Sequence, residues 1–130
     1  MNRTKAREYA FVLLFEYKFQ PDEMERILKD FVEEFNPGDQ QGYIERVVGG
    51  VIENVEEIDG IIQDVSKDWT TERMSNVCLA LMRLAVYEIK FCEDIPSVVA
   101  VNEAVALAKK YDGEESTTFV NGILGKISNE

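Results

Sequence analysis

Apolar residues recur three and four positions apart along almost the whole chain, and no stretch alternates apolar with polar residues for long enough to make a strand. That period restricts the chain to an all-α fold, because residues three and four apart share one face of a helix. The first such stretch, Arg3 to Phe19, places Ala6, Ala10, Leu13, Leu14 and Tyr17 on one face, and Pro21 ends it. A second begins near Asp22, where Asp22 and Glu23 suit the positive end of a helix dipole, and is expected to bury Met24, Ile27, Leu28, Phe31 and Phe35. The segment NPGD then makes a turn.

A third helix is expected from Asp39 or Gln40 to the mid-fifties through Ile44, Val47, Val48, Val51 and Val55. A shorter piece beyond Asn54 carries Ile58, Ile61, Ile62 and Val65 towards Trp69, with Asn54 and Gly60 marking a break or kink. The stretch from about Asn76 to Phe91 is apolar on most faces and reads as the central helix. EDIP interrupts the pattern, Ser97 is placed to cap a helix from Val98 to Tyr111, and DGE makes a turn. Ser116 or Thr117 is placed to cap a last helix through Phe119, Val120, Ile123, Leu124 and Ile127. Within FVNGIL the apolar spacing is helical, so Gly122 reads as a helical glycine that permits close backbone approach. About seven helices result.

At 130 residues, 45% hydrophobic and 30% charged, the chain has the size and composition of one globular domain. It contains no histidine, which removes the usual base of a nucleophilic triad and the usual nitrogen ligand of zinc. Adjacent carboxylates such as Glu33-Glu34, Glu56-Glu57 and Glu114-Glu115 diverge by about 100° on a helix and do not converge on one ion. With no phosphate loop, nucleophile elbow or zinc pattern either, neither catalysis nor a cofactor is expected. Cys78 and Cys92 lie in apolar helical text with no secretory signal, which suits reduced thiols in the cytoplasm. The longest apolar run, VCLALMRLAV, is too short to cross a bilayer and carries Arg83. Arg83 reads as one half of a structural ion pair, with Asp94 or Glu103 as the acid.

Charge is unevenly distributed. The net charge is -11, yet residues 1–20 hold four bases and two acids, whereas residues 22–72 hold four bases and fifteen acids. Arg3, Lys5 and Arg7 all precede the first acid, Glu8. On a wheel of about 100° per residue, Arg7, Phe11, Phe15 and Lys18 fall within a sector of about 80° beside the apolar stripe. Cations interleaved with rings suit single-stranded RNA, the cations meeting phosphates and the rings stacking on bases. The i, i+4 spacing of Phe11 and Phe15 is equally that of a core pair.

Five stretches together resemble the NusB family of bacterial transcription antitermination factors: AREYAFVLL (6–14), WTTER (69–73), MRLAVYEI (82–89), DIPSVVAVNEAVALAKKY (94–111) and FVNGIL (119–124). The resemblance implies two small helical bundles, one of residues from 1 to about 68 and one from about 69 to 130. It also implies a function without catalysis: pairing with a NusE-like ribosomal protein, binding the boxA element of nascent RNA, and helping an RNA polymerase antitermination complex on ribosomal RNA operons. Arg3, Lys5 and Arg7 match basic positions of the family's RNA surface, and Lys109 matches the lysine of its AK block. With Phe11, Phe15 and Lys18 these form the expected RNA set, and Glu72 and Cys78 are the expected partner contacts. The chain departs from the family's pattern at Thr4, where a base is common, and at Val12 and Phe15, where glutamine and tyrosine are frequent. It departs again at Cys78, where an acid is common. The alternative reading is a protein-only interaction module or homodimer that keeps the fold with weakened RNA recognition.

Overall fold

In the computed structural model, which describes residues 1–67 and 74–129, seven α-helices and no strand occur among the described residues. They are α1 (Arg3–Phe19), α2 (Met24–Phe35), α3 (Gln41–Glu53), α4 (Val55–Ser66), α5 (Asn76–Phe91), α6 (Ser97–Tyr111) and α7 (Glu114–Ser128). The apolar period located each of them, and local backbone chemistry set their ends.

Asn2 caps α1, its side-chain oxygen accepting from the Lys5 backbone N–H at 2.8 Å. Single 3₁₀ turns, Pro21–Glu23 and Gly38–Gln40, precede α2 and α3. The acids expected to open those helices therefore lie in the lead-in turn. Asn36 closes α2 in the left-handed region (φ 45°), a conformation asparagine tolerates better than most side chains. The break between α3 and α4 falls at Asn54, whose side-chain Nδ2 donates to the Gly50 carbonyl at 2.8 Å, where its own backbone N–H also donates at 3.1 Å.

Two caps differ from those read in the sequence. Pro96, in an extended conformation, precedes α6, and its carbonyl accepts from the N–H groups of Val99 and Ala100, so Ser97 is the first helical residue. Gly113, at φ 101°, turns the chain straight into α7 at Glu114, leaving Ser116 and Thr117 inside the helix.

Helix α5 is the axis of the molecule. Every residue from Cys78 to Glu88 is buried, and α5 packs against α1, α3, α4, α6 and α7. Helices α1, α2 and α3 form one group beside it; α6 and α7 form another. Helix α4 packs on α5 and α7 far more than on α3, so packing changes partners at Asn54. One continuous apolar core joins the two groups. Of the expected α2 face, Met24 and Phe31 are buried while Phe35 remains 45% exposed.

The close backbone approach expected at Gly122 occurs elsewhere. A methyl group at Gly122 would meet open space, whereas one at Gly50 would collide with the ring of Tyr87. No helix among the described residues is long and apolar enough to cross a membrane.

Candidate nucleic-acid interface

The first turns of α1 carry the exposed cations. Arg3 lies 4.1 Å above the ring of Tyr43 and donates through Nε to Gln40 Oε1 at 2.7 Å. Neither contact neutralises its charge, and no carboxylate pairs with it among the described residues. Lys5 is exposed, 3.3 Å from Glu8 and 5.3 Å from the ring of Tyr9. Lys18 and Lys109 are both exposed, each without an ion-pair partner among the described residues.

Arg7 corrects the sequence reading. It is 3% exposed, its Nε donating to both oxygens of Glu88 at 3.0 and 3.1 Å and its Nη1 lying 3.3 Å from Glu103. The hydroxyl of Tyr43 donates to Glu88 at 2.9 Å and completes the cluster. Burial works against the Arg7 charge, but the hydrogen bond and the charge of Glu88 outweigh it and leave the guanidinium more basic than usual. Burial and the Glu88 charge likewise push the Tyr43 phenol upward. Arg7 therefore joins α1 to α3, α5 and α6 from within.

Phe11 is also corrected: at 2% exposure it belongs to the core, its ring 5.1 Å from that of Tyr111. The core spacing of Phe11 and Phe15 prevails at Phe11 because it lies one helical turn beyond buried Arg7 on the same stripe. Phe15 is half-buried and packs on Phe19, centroids 5.2 Å apart, and Phe19 is the more open ring at 56%. Phe19, not among the residues expected from the sequence, stands in the last turn of α1, and the last turn of a helix exposes what its middle would bury.

Arg83 forms a two-point ion pair, though with neither acid expected. Its Nε and Nη2 donate to Asp59 at 2.9 and 2.8 Å, because α4 rather than α6 lies along that side of α5. Asp94 instead binds Arg46 through contacts of 2.6 and 3.0 Å, and Glu103 serves Arg7 and Thr4. Cys78 is buried at a cleft of about 380 Å³ shared with Met74, Ser75, Asp112, Ser116 and Phe119. Burial pushes its thiol up to about 11, so it stays protonated at neutral pH. Glu72, the other expected partner contact, lies outside the described residues.

Glu8, Lys110 and Tyr111, none of them among the site residues expected from the sequence, complete the edge. The N-terminal half of α1 and the C-terminal end of α6 meet at Glu8, which accepts from Lys110 Nζ at 2.6 Å and from the hydroxyl of Tyr111. These donors, Lys110 first, hold the Glu8 carboxyl at about 2. Thr4 donates to Glu103 at 2.8 Å and fixes the same alignment farther along α6. Arg3, Lys5, Lys109 and Lys110 thus lie on two helices tied together by these side-chain bridges. A hint was present in the sequence: two adjacent lysines close the last turn of α6, where a helix dipole favours them.

The arrangement defines an all-helical binding domain with a cationic edge made by two helix ends, and it holds no cluster of metal-ligating side chains among the described residues. The family model described as NusB family matches residues 4–129, and the chain belongs to that family. It is 48% identical to the transcription antitermination protein NusB of Acetivibrio thermocellus over 129 residues, covering 98% of this chain and 88% of that one. Against the Clostridium botulinum (strain Loch Maree) protein of the same name, identity is 43% over 140 residues, covering 98% and 99%. Among solved structures, NusB of T. maritima superposes with a TM-score of 0.92 at 37% identity, covering 100% of this chain and 92% of that chain. A structure of NusB and NusE in complex with dsRNA gives 0.85 at 31% identity, covering 99% and 98%.

Proposed function

We propose that this chain is a transcription antitermination factor of the cytoplasm that binds boxA-type single-stranded RNA together with a NusE-like ribosomal protein. It would serve an RNA polymerase antitermination complex on ribosomal RNA transcription. The observation that carries this reading is the exposed cation at Arg3, in no ion pair among the described residues, with Lys5 and Lys109 exposed as well, on a chain whose net charge is -11. An acidic body repels polyanions at long range, so RNA engages only where local cations exceed that field. Phosphates meet Arg3, Lys5, Lys18 and Lys109, while Phe15 and Phe19 offer ring faces at the far end of α1. Arg7 and Phe11 act from inside, holding α1 at the angle that presents those groups.

The relatives named for antitermination, and the related structure of NusB and NusE with dsRNA, support the antitermination role and the pairing of RNA with a NusE-like protein. In this reading the partner contacts the start of α5, through Glu72, which precedes the helix in sequence, and Cys78, which lines the cleft beside Phe119. A basic ribosomal protein suits the acid excess of residues 22–72.

Filter binding of boxA-type RNA against a scrambled sequence, with and without the NusE-like protein, tests the proposal. Tighter binding of boxA-type RNA by the pair is expected, and equal retention of both RNAs refutes sequence recognition. A second reading, a protein-only module or homodimer, is favoured by one feature. Val12 and Phe35, at 40% and 45% exposure, border an apolar groove between α1 and α2. Sedimentation at high concentration distinguishes it, since a monomer excludes the homodimer.

A further inference from the structure

We propose that Glu8 is a built-in competitor for RNA phosphate, its carboxylate occupying the donors of Lys5, Lys110 and Tyr111 until a phosphodiester displaces it. The inference rests on the RNA-binding reading above and deepens it by naming what controls that edge. Glu8 accepts from Lys110 Nζ at 2.6 Å, from Lys5 Nζ at 3.3 Å and from the Tyr111 hydroxyl. Three donors from two helices thus converge on one oxyanion, and two of them are charged. Non-bridging phosphate oxygens accept from the same kinds of donor in the same way.

Exposure distinguishes this cluster from the one at Arg7. The lysine side chains here are 51% and 59% exposed while that of Glu8 is 14% exposed, so the donors are open to solvent and the acceptor lies behind them. The Arg7–Glu88 pair is closed on both sides, at 4% and 1%, and nothing from solution can replace either partner. Pairs whose cations stand in water contribute little to stability, so exchanging Glu8 for another anion leaves the fold standing.

The charges give the consequence. With Glu8 in place, Lys5, Lys110 and Glu8 sum to +1; with Glu8 turned aside, the lysines present +2 to the incoming strand. A single phosphate competes poorly against a carboxylate tethered to the same site, because the tether raises that carboxylate's effective concentration. A strand that also reaches Arg3 and Lys109 makes several contacts at once and prevails. Glu8 therefore suppresses weak, indiscriminate capture of polyanions and leaves binding to ligands that span the edge.

The experiment compares wild-type and E8Q protein, each with the NusE-like partner, by fluorescence anisotropy on labelled boxA-type and scrambled single-stranded RNA across a salt series. E8Q is expected to tighten both RNAs at low salt by at least about threefold, with a larger gain for the scrambled one. Its log–log salt slope should steepen by about 0.7 for each phosphate newly contacted. Wild-type binding with an unchanged E8Q affinity and slope overturns the competition and leaves the RNA-binding reading intact; no binding by either protein overturns both. A second measurement is independent of any variant's folding. In wild-type protein, saturating RNA should move the Glu8 carboxyl titration, followed by ¹³C NMR, up towards that of a free glutamate. A titration that RNA does not move overturns the proposal.

Discussion

At the scale of single residues, the cluster of Arg7, Tyr43, Glu88 and Glu103 shows how one charge can be read in two ways. Arg7 stands among bases that precede the first acid, and that grouping points to a surface. Its companions one and two turns on, Phe11 and Leu14, are core residues, and on that stripe a base goes inside only with an acid to meet it. The acid is Glu88, in the most apolar helix of the chain, so the pair was legible to anyone asking what a glutamate does there. Removing either partner alone leaves a buried charge, and R7M or E88L should lower unfolding free energy by about 3–5 kcal/mol in urea titrations. The triple variant R7M/E88L/Y43F, which also removes the orphaned hydroxyl, should recover most of that loss. Glu8 gives a prediction of a different sign and size. Its folded value of about 2 lies below the ordinary 4.5, so the stabilisation it supplies is complete above 4.5 and disappears as pH falls towards 2. Thermal melts over that window should show wild type losing more stability than E8Q. The difference should shrink in high salt, because the lysine heads are solvated.

Among the described residues periodicity located all seven helices, but residues that fix the backbone, rather than the best side-chain caps, set where α6 and α7 begin. Ser97, Ser116 and Thr117 are good caps by composition, yet Pro96 and Gly113 fix the backbone one to several residues earlier. A ring with a preset φ and a glycine at φ 101° decide the path before any side-chain cap can act. The glycines show the same limit. Nothing in the text around Gly50 and Gly122 reveals which one has a ring above it, because Tyr87 is 37 residues from the former and reaches it only through packing of α3 on α5. G50A should destabilise by about 1–3 kcal/mol, since the Tyr87 ring, already stacked on Phe91 at 5.3 Å, must move aside. G122A, with open space above it in mid-helix, should stabilise by about 0.5–1 kcal/mol. Paired melting curves of the two variants, shifting in opposite directions, check both.

For the molecule as a whole, the order of the helices was legible but the side of α5 that each one takes was not. Hence the acid for Arg83, expected to be Asp94 ahead of α6 or Glu103 within it, is Asp59 on α4. The continuous core predicts cooperative behaviour: L81A, at a residue 1% exposed on the shared axis, should cost about 2–5 kcal/mol. Far-UV and near-UV signals should still unfold in a single coincident transition. Charge also belongs to this scale. The net charge of -11 places every phosphate contact against an opposing field, so loss of one exposed cation is felt more than the same loss on a basic protein. R3E reverses the exposed cation of the α1 start that forms no ion pair among the described residues, and Tyr43 and Gln40 beneath it keep their places in α3 and its lead-in turn. RNA affinity at low salt should fall by at least about tenfold, and the log–log salt slope should flatten by about 0.7 as one phosphate contact disappears. Helical content and urea midpoint should match wild type, which separates this loss from that at Arg7, where binding and stability fall together. An R3E protein with an unchanged salt slope would remove Arg3 from the RNA path and move the interface towards Lys109 and the end of α6.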